Sequence, residues 1–229
     1  MQHQLDVQPD GAAVARSAAA FVAARARAAT ASGGNFTFAV SGGRTPWTMF
    51  AELASLDVPW EQVVIYQVDE RCAPLDDPDR NLAHLRDALG DAPADVRPMP
   101  VEDSDLDAAS AAYANELPDF FDLVHLGLGP DGHTASLVPG DAVLEVADRL
   151  VAPTGGEYQG RRRMTLTYPA LARARQLLWL VDGESKRDAL ARLLAGDRGI
   201  PAGRVTADAS TIVADRAAAP APEPTGAAT

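Results

Sequence analysis

Histidine, carboxylates and cations fall at turns that follow apolar runs, and those turns are where the chain can do chemistry. PDGHTAS, residues 130–136, places Asp131 and His133 in a glycine-rich turn just after the apolar run 121–128. An imidazole titrates near neutrality and can take a proton from water without a metal, which makes His133 the candidate general base. Asp131 can orient the ring or stabilise its charged form. The plainer alternative is a histidine that caps the following turn through backbone hydrogen bonds. His3, His84 and His125 show no ligand spacing with it, so no metal is expected, and His125, inside the apolar run, reads as a core histidine.

Other turns carry the groups an anion would need. SGGRTP, residues 41–46, joins a strand to a helix, and two glycines before a helix start form a nest of N–H groups suited to phosphate. Gly42, Gly43 and Arg44 belong to this turn; Thr45 is expected to cap the helix and donate its hydroxyl to the anion, with Pro46 at the first helical position. The stretch lacks the GK[ST] ending of a P-loop and the GxGxxG pattern of a dinucleotide turn, and it also reads as an ordinary tight turn. DER, residues 69–71, puts Asp69 near a reacting carbon and Arg71 against an anion or hydroxyls; on spacing alone a charged surface turn is the stronger reading. Lys186 and Arg187 stand where cations oppose a helix dipole unless an anion is near, and Lys186 is the expected phosphate ligand. Within Arg161-Arg162-Arg163, Arg163 is the one expected to point inward. Cys72 has no partner base and reads as inert.

These groups need a scaffold. Residues 35–40, 63–68, 121–128, 149–152, 163–168, 177–181 and 210–214 read as strands, with a brief one at 96–99. Helices are expected at 11–30, from Pro46, at 81–89, 103–116, 169–175 and 184–194, and a short helical start after the turn at 129–133. Strands alternating with helices imply an α/β fold with a mostly parallel sheet and helices on both faces. Open sheets of this kind bind ligands beyond the carboxyl ends of their strands. One domain over 1–215 is expected, followed by a disordered Pro/Ala-rich tail, RAAAPAPEPTGAAT, at 216–229.

Composition narrows the partners. The 229 residues include 20 basic and 32 acidic side chains, a net charge of −12, so nucleic acid and anionic membranes are not expected ligands. One cysteine excludes an internal disulfide framework. With no signal peptide and no uncharged run of about 20 residues, the cytoplasm is the expected compartment.

In combination, SGGRTP, VDERCAP with Asn81 after it, GLGPDGHTASLVP, RRMTLTYPAL and DGESK resemble the family of 6-phosphogluconolactonases, a superfamily shared with glucosamine-6-phosphate deaminase and ribose-5-phosphate isomerase. The likeness spans about residues 35–195. It implies a Rossmann-like three-layer sandwich, hydrolysis of 6-phospho-glucono-1,5-lactone in the oxidative pentose phosphate pathway, and no required cofactor. Phosphate would lie on the Gly42 and Gly43 amides, Thr45 and Lys186, helped by Arg44, Arg71 or Arg163, while His133 activates water and Asp69 and Asp131 orient water, histidine or sugar hydroxyls. A monomer is expected. Deaminases resemble DGHIAFNEP at the turn, with a glutamate five residues after the histidine; here that place is Val138, which favours the lactonase. Cys72, where an aromatic is usual, and Arg80, where a small residue is common, depart from the pattern and are expected to bear on the pocket rim. A sugar-phosphate isomerase, or a non-catalytic sugar-phosphate sensor, are the rival readings; for the sensor no helix-turn-helix segment is evident.

Overall fold

Short β-branched and aromatic runs become strands, and the alanine-rich stretches between them become helices that cover the strands. The structure, a computed structural model, describes residues 2–220. Gln4–Gln8 forms β1. It is followed by α1 (Gly11–Thr30), started by Asp10, whose carboxylate accepts from the Ala13 amide at 2.8 Å. β2 (Phe36–Val40) leads into α2 (Arg44–Ala54), and β3 (Val63–Gln67) runs almost directly into β4 (Asp69–Arg71). Then come α3 (Asn81–Leu89), β5 (Asp95–Arg97), α4 (Leu106–Glu116) and β6 (Leu123–Gly127). β7 (Val151–Pro153), β8 (Arg163–Leu166), a single-turn α5 (Tyr168–Leu171), β9 (Gln176–Val181), α6 (Arg187–Leu194) and β10 (Ala209–Asp215) complete the order.

Seven strands form a parallel sheet in the order β1-β10-β9-β6-β2-β3-β5. Alternation along each strand divides the core in two. Phe36, Phe38 and Val40 of β2 and Leu123 of β6 pack with α1, α2 and α3, whereas Ala39, Val124 and Leu126 pack on the opposite face with α4 and α6. The fold is therefore α/β, with a mostly parallel central sheet and helices on both faces. Strand order reverses between β2 and β6: the chain builds outward through β3 and β5, then returns to β6 on the other side of β2. Crevices at such reversals take ligands. No helix among the described residues is long and apolar enough to cross a membrane.

Several elements differ from expectation. MQHQLDVQPD, short and polar, gives no strand expectation, yet Gln4–Gln8 is a strand, held on one side only through parallel register with β10. β4, β8 and β7 make a separate three-stranded antiparallel sheet, so DER is a strand rather than a turn. Thr45 is not the N-cap of α2; Gly43, at φ 139°, takes that place, a conformation that a side chain disfavours. The turn after β6 does not start a helix: it continues as turns and a Thr134–Leu137 bridge. Residues Glu184–Lys186 form a 3-10 turn before α6 starts at Arg187. Of the expected tail, 221–229 lie outside the described residues; just before them, Ala218 is buried and its amide donates to Asp215 at 2.7 Å.

Candidate active site

Beyond the carboxyl ends of β2, β6 and β9, the loops 41–45, 127–135 and 180–186 surround a cavity of about 480 Å³. Residues from the second sheet close its remaining side: Asp69 and Arg71 from β4, Arg163 from β8, and Tyr158 and Gln159 from the loop between β7 and β8. The antiparallel sheet thus acts as a wall over the switch point.

His133 lines this cavity. Its Nδ1 lies 2.6 Å from Asp131 Oδ1, which also accepts from the His133 amide at 3.2 Å. Burial alone would raise the Asp131 carboxyl, but the bonds from the His133 amide and ring, with the imidazole's charge, outweigh it and hold the carboxyl below the usual range. An ionised carboxylate only accepts, so Nδ1 carries a proton in either form of the ring, and in the neutral form the lone pair is on Nε2. No group among the described residues bonds Nε2. The backbone of the turn is packed tightly to achieve this: a Cβ on Gly129 would collide with the His133 ring.

On the second-sheet side, Asp69 is buried, with its Oδ2 accepting from Ser136 Oγ at 2.6 Å and 3.8 Å from Arg163 Nη1. Burial lifts the Asp69 carboxyl above its ordinary range, although the Ser136 hydroxyl and the Arg163 charge pull it down. Glu70, fully buried, accepts from the amides of Arg71 (2.7 Å), Asn81 (2.8 Å) and Leu82 (2.8 Å) and from Gln67 Nε2 (2.9 Å). It also sits 3.6 Å from Arg80 Nε. Glu70 therefore ties β4 to the start of α3. Asn81 carries that tie onward: its Nδ2 donates to the Asp69 carbonyl at 3.0 Å, and its Oδ1 accepts from Arg71 Nη1 at 2.7 Å. Asn81 also packs so closely on Gly42 that a Cβ there would overlap it.

The third wall is cationic. Arg44 and Lys186 line it, and no hydrogen bond or ion pair among the described residues engages either side chain; the Gly42 and Gly43 amides likewise lack a protein acceptor. Burial lowers the Lys186 pKa, offset in part by Asp131 and Asp182. Arg187, its neighbour, turns away to donate to the Ala217 carbonyl at 2.9 Å. Thr45 is placed here too, but its hydroxyl proton goes to Asp182 Oδ1 at 2.6 Å. With that proton used, Thr45 can offer an anion only its backbone amide.

The structure thus brings Gly42, Gly43, Arg44, Thr45, Asp69, Arg71, His133, Arg163 and Lys186 to one cavity, with Asp131 bonded behind His133. Arg163 points inward as expected, whereas Arg161 pairs with Asp77 at 2.8 Å and Arg162 donates to the Thr154 carbonyl at 3.2 Å. Cys72 and Arg80 do not reach the rim: Arg80 is fully buried on the Met99 carbonyl and Glu102, and burial raises the half-buried Cys72 thiol. His125 is a core residue, with its pKa lowered by burial to about 3. Sequence reasoning missed Ser136, Glu70, Tyr158, Gln159 and Asp182. Ser136 and Glu70 lay inside motifs already singled out; Tyr158 and Gln159 sit in a loop with no periodicity to announce them.

The family of glucosamine-6-phosphate isomerases/6-phosphogluconolactonase matches residues 9–214, nearly the whole described chain. The chain belongs to that family. It is 38% identical over 209 residues to the 6-phosphogluconolactonase of Synechocystis sp., covering 85% of this chain and 86% of that one. It superposes on the crystal structure of 6-phosphogluconolactonase from Thermotoga maritima with a TM-score of 0.84 at 26% identity, covering 94% of this chain and 100% of that one. A monomeric glucosamine-6-phosphate deaminase shares the fold, with a TM-score of 0.78 at 19% identity over 94% of this chain and 98% of that one. Fold alone therefore does not separate the two activities.

Proposed function

We propose that this protein hydrolyses 6-phospho-D-glucono-1,5-lactone to 6-phospho-D-gluconate, a step of the oxidative pentose phosphate pathway, with His133 as general base. What carries the reading is one cavity lined both by an imidazole whose Nε2 has no partner among the described residues and by Arg44 and Lys186, cations likewise without one there. The relatives that cover most of the chain are named 6-phosphogluconolactonase, which supports the same substrate. The phosphate is held by the Gly42 and Gly43 amides, Arg44 and Lys186, with the Thr45 amide at the start of α2. His133 Nε2 removes a proton from water, whose oxygen attacks the lactone carbonyl. Arg163 and Arg71 lie on the second-sheet wall, where cations can stabilise the oxyanion. The tetrahedral species collapses by breaking the bond from the former carbonyl carbon to the ring oxygen, which takes the proton back from His133. Asp69 accepts from sugar hydroxyls or water, and Asp131 fixes the tautomer.

Val138 supports hydrolysis over deamination, since it offers no carboxylate to assist ring opening of an aldose. A charged, water-soluble substrate and a single cysteine support the cytoplasm. The test is formation of 6-phosphogluconate from fresh lactone above the spontaneous rate, followed with a coupled dehydrogenase and repeated with a chelator, beside glucosamine 6-phosphate as substrate. Lactone turnover with no ammonia release is expected; ammonia release without lactone turnover would overturn the reading.

A further inference from the structure

Among the described residues, Tyr158 is the one phenylalanine, tyrosine or tryptophan in the cavity wall, and the hydrolysis proposed above gives it no part. Its ring centroid lies 5.2 Å from that of His133, with the planes at 63°, an edge-to-face contact. We propose that Tyr158 is a positioning residue that fixes the plane of the His133 imidazole; this rests on His133 acting as the base. Asp131 holds the ring at one atom, Nδ1, so its hydrogen bond restrains the two side-chain torsions of His133 from one side only. The Asp131 side chain is also 41% exposed, so water competes for it. The edge-to-face contact with Tyr158 is a second restraint on the ring, and it keeps Nε2 directed at one place.

Tyr158 is itself held firmly enough to do this. The Arg163 guanidinium carbon stands 5.2 Å from the Tyr158 centroid. Arg163 Nη2 also donates to Gln159 Oε1 at 3.1 Å and to the Tyr158 carbonyl at 3.4 Å. The Tyr158 amide donates to the Arg161 carbonyl at 2.9 Å, and the two residues between have positive φ, 55° at Gln159 and 76° at Gly160. This is the tight two-residue turn that suits a twisted hairpin. A glutamine accepts left-handed backbone only where its surroundings over-determine it, and such positions gather at functional sites. Arg161, at the end of this turn, then ties the hairpin to Asp77 in the segment after β4 at 2.8 Å. Arg163 touches both Tyr158 and Asp69, so one guanidinium sets the ring that sets the base.

The experiment is a double-mutant cycle on lactone hydrolysis, with kcat and KM measured separately. Tyr158→Phe keeps the ring edge and is expected to retain most of kcat. Tyr158→Ala is expected to lower kcat roughly 3- to 10-fold, the scale of one aromatic contact, and to leave KM within about twofold. In a His133→Ala background, Tyr158→Ala should cost nothing further, because no ring is left to hold. The same loss in both backgrounds, or a change confined to KM, would overturn the proposal. Tyr158→Leu, which keeps apolar bulk on the hairpin, guards against a folding defect and should behave as Tyr158→Ala does. A His133→Ala enzyme with normal turnover would remove the base itself, and Tyr158's role with it.

Discussion

Replacing Lys186 with alanine removes one positive charge from the wall that also holds Gly42, Gly43 and Arg44. A hydrogen bond to a charged group contributes about 1.5–3 kcal/mol, which corresponds to a factor of roughly 10–150 in binding. Lys186 is only partly buried, so solvent screens it, and Arg44 remains to share the phosphate. The lower half of that range is therefore expected: KM for the phosphorylated lactone should rise about 10- to 40-fold. Gluconolactone without phosphate has nothing for Lys186 to hold, so its kcat/KM should change less than about threefold. Both substrates can be followed in one buffer by the acid released on hydrolysis, with the spontaneous rate subtracted. Equal losses for the two lactones would refute the phosphate contact and move Lys186 to the reacting end of the cavity.

Glu70→Ala should strand three amides and the Gln67 side chain, and leave Arg80 without its buried partner. Breaking a buried pair in this way costs about 3–5 kcal/mol, read as a fall in the urea midpoint; a loss below about 1 kcal/mol would contradict the network. His125 gives a pH signature. Its folded pKa is about 3 against an unfolded 6.5, so the unfolded chain binds the extra proton between those values, and stability present above about pH 6.5 drains away as pH falls. Each unit removes up to about 1.4 kcal/mol, so urea unfolding at pH 5 and pH 7 should differ by roughly 2 kcal/mol more in the native protein than in His125→Gln. Identical differences would show that His125 is not kept neutral by burial.

Much of this was legible in the residues. Helix α1 and strands β2, β3 and β9 carry strong local patterns, and the structure places them within a residue or so of where those patterns end. The site was legible as a set of motifs because each follows a strand, and parallel strands deliver their carboxyl ends to one side of a sheet. What the chain could not announce was contact between distant segments. β1 exists because β10 offers it an edge, and the antiparallel sheet exists because β8 returns to pair Thr165 with Asp69. Thr45 looked like a cap until Asp182, 137 residues later, took its proton. Ser136 stood inside the sharpest motif, yet its role depends on Asp69 being buried beside it. Arg80 looked like a rim residue because its neighbours are; its partners, Met99 and Glu102, lie beyond α3.

The central claim is that His133 activates the water, and His133→Ala with 6-phosphogluconolactone measures it most directly. General-base action is worth about 10²–10⁴ in rate, so kcat should fall by at least about a hundredfold while KM, set by the phosphate wall, stays within a few fold. A His133→Ala enzyme that keeps near-normal kcat would contradict the account.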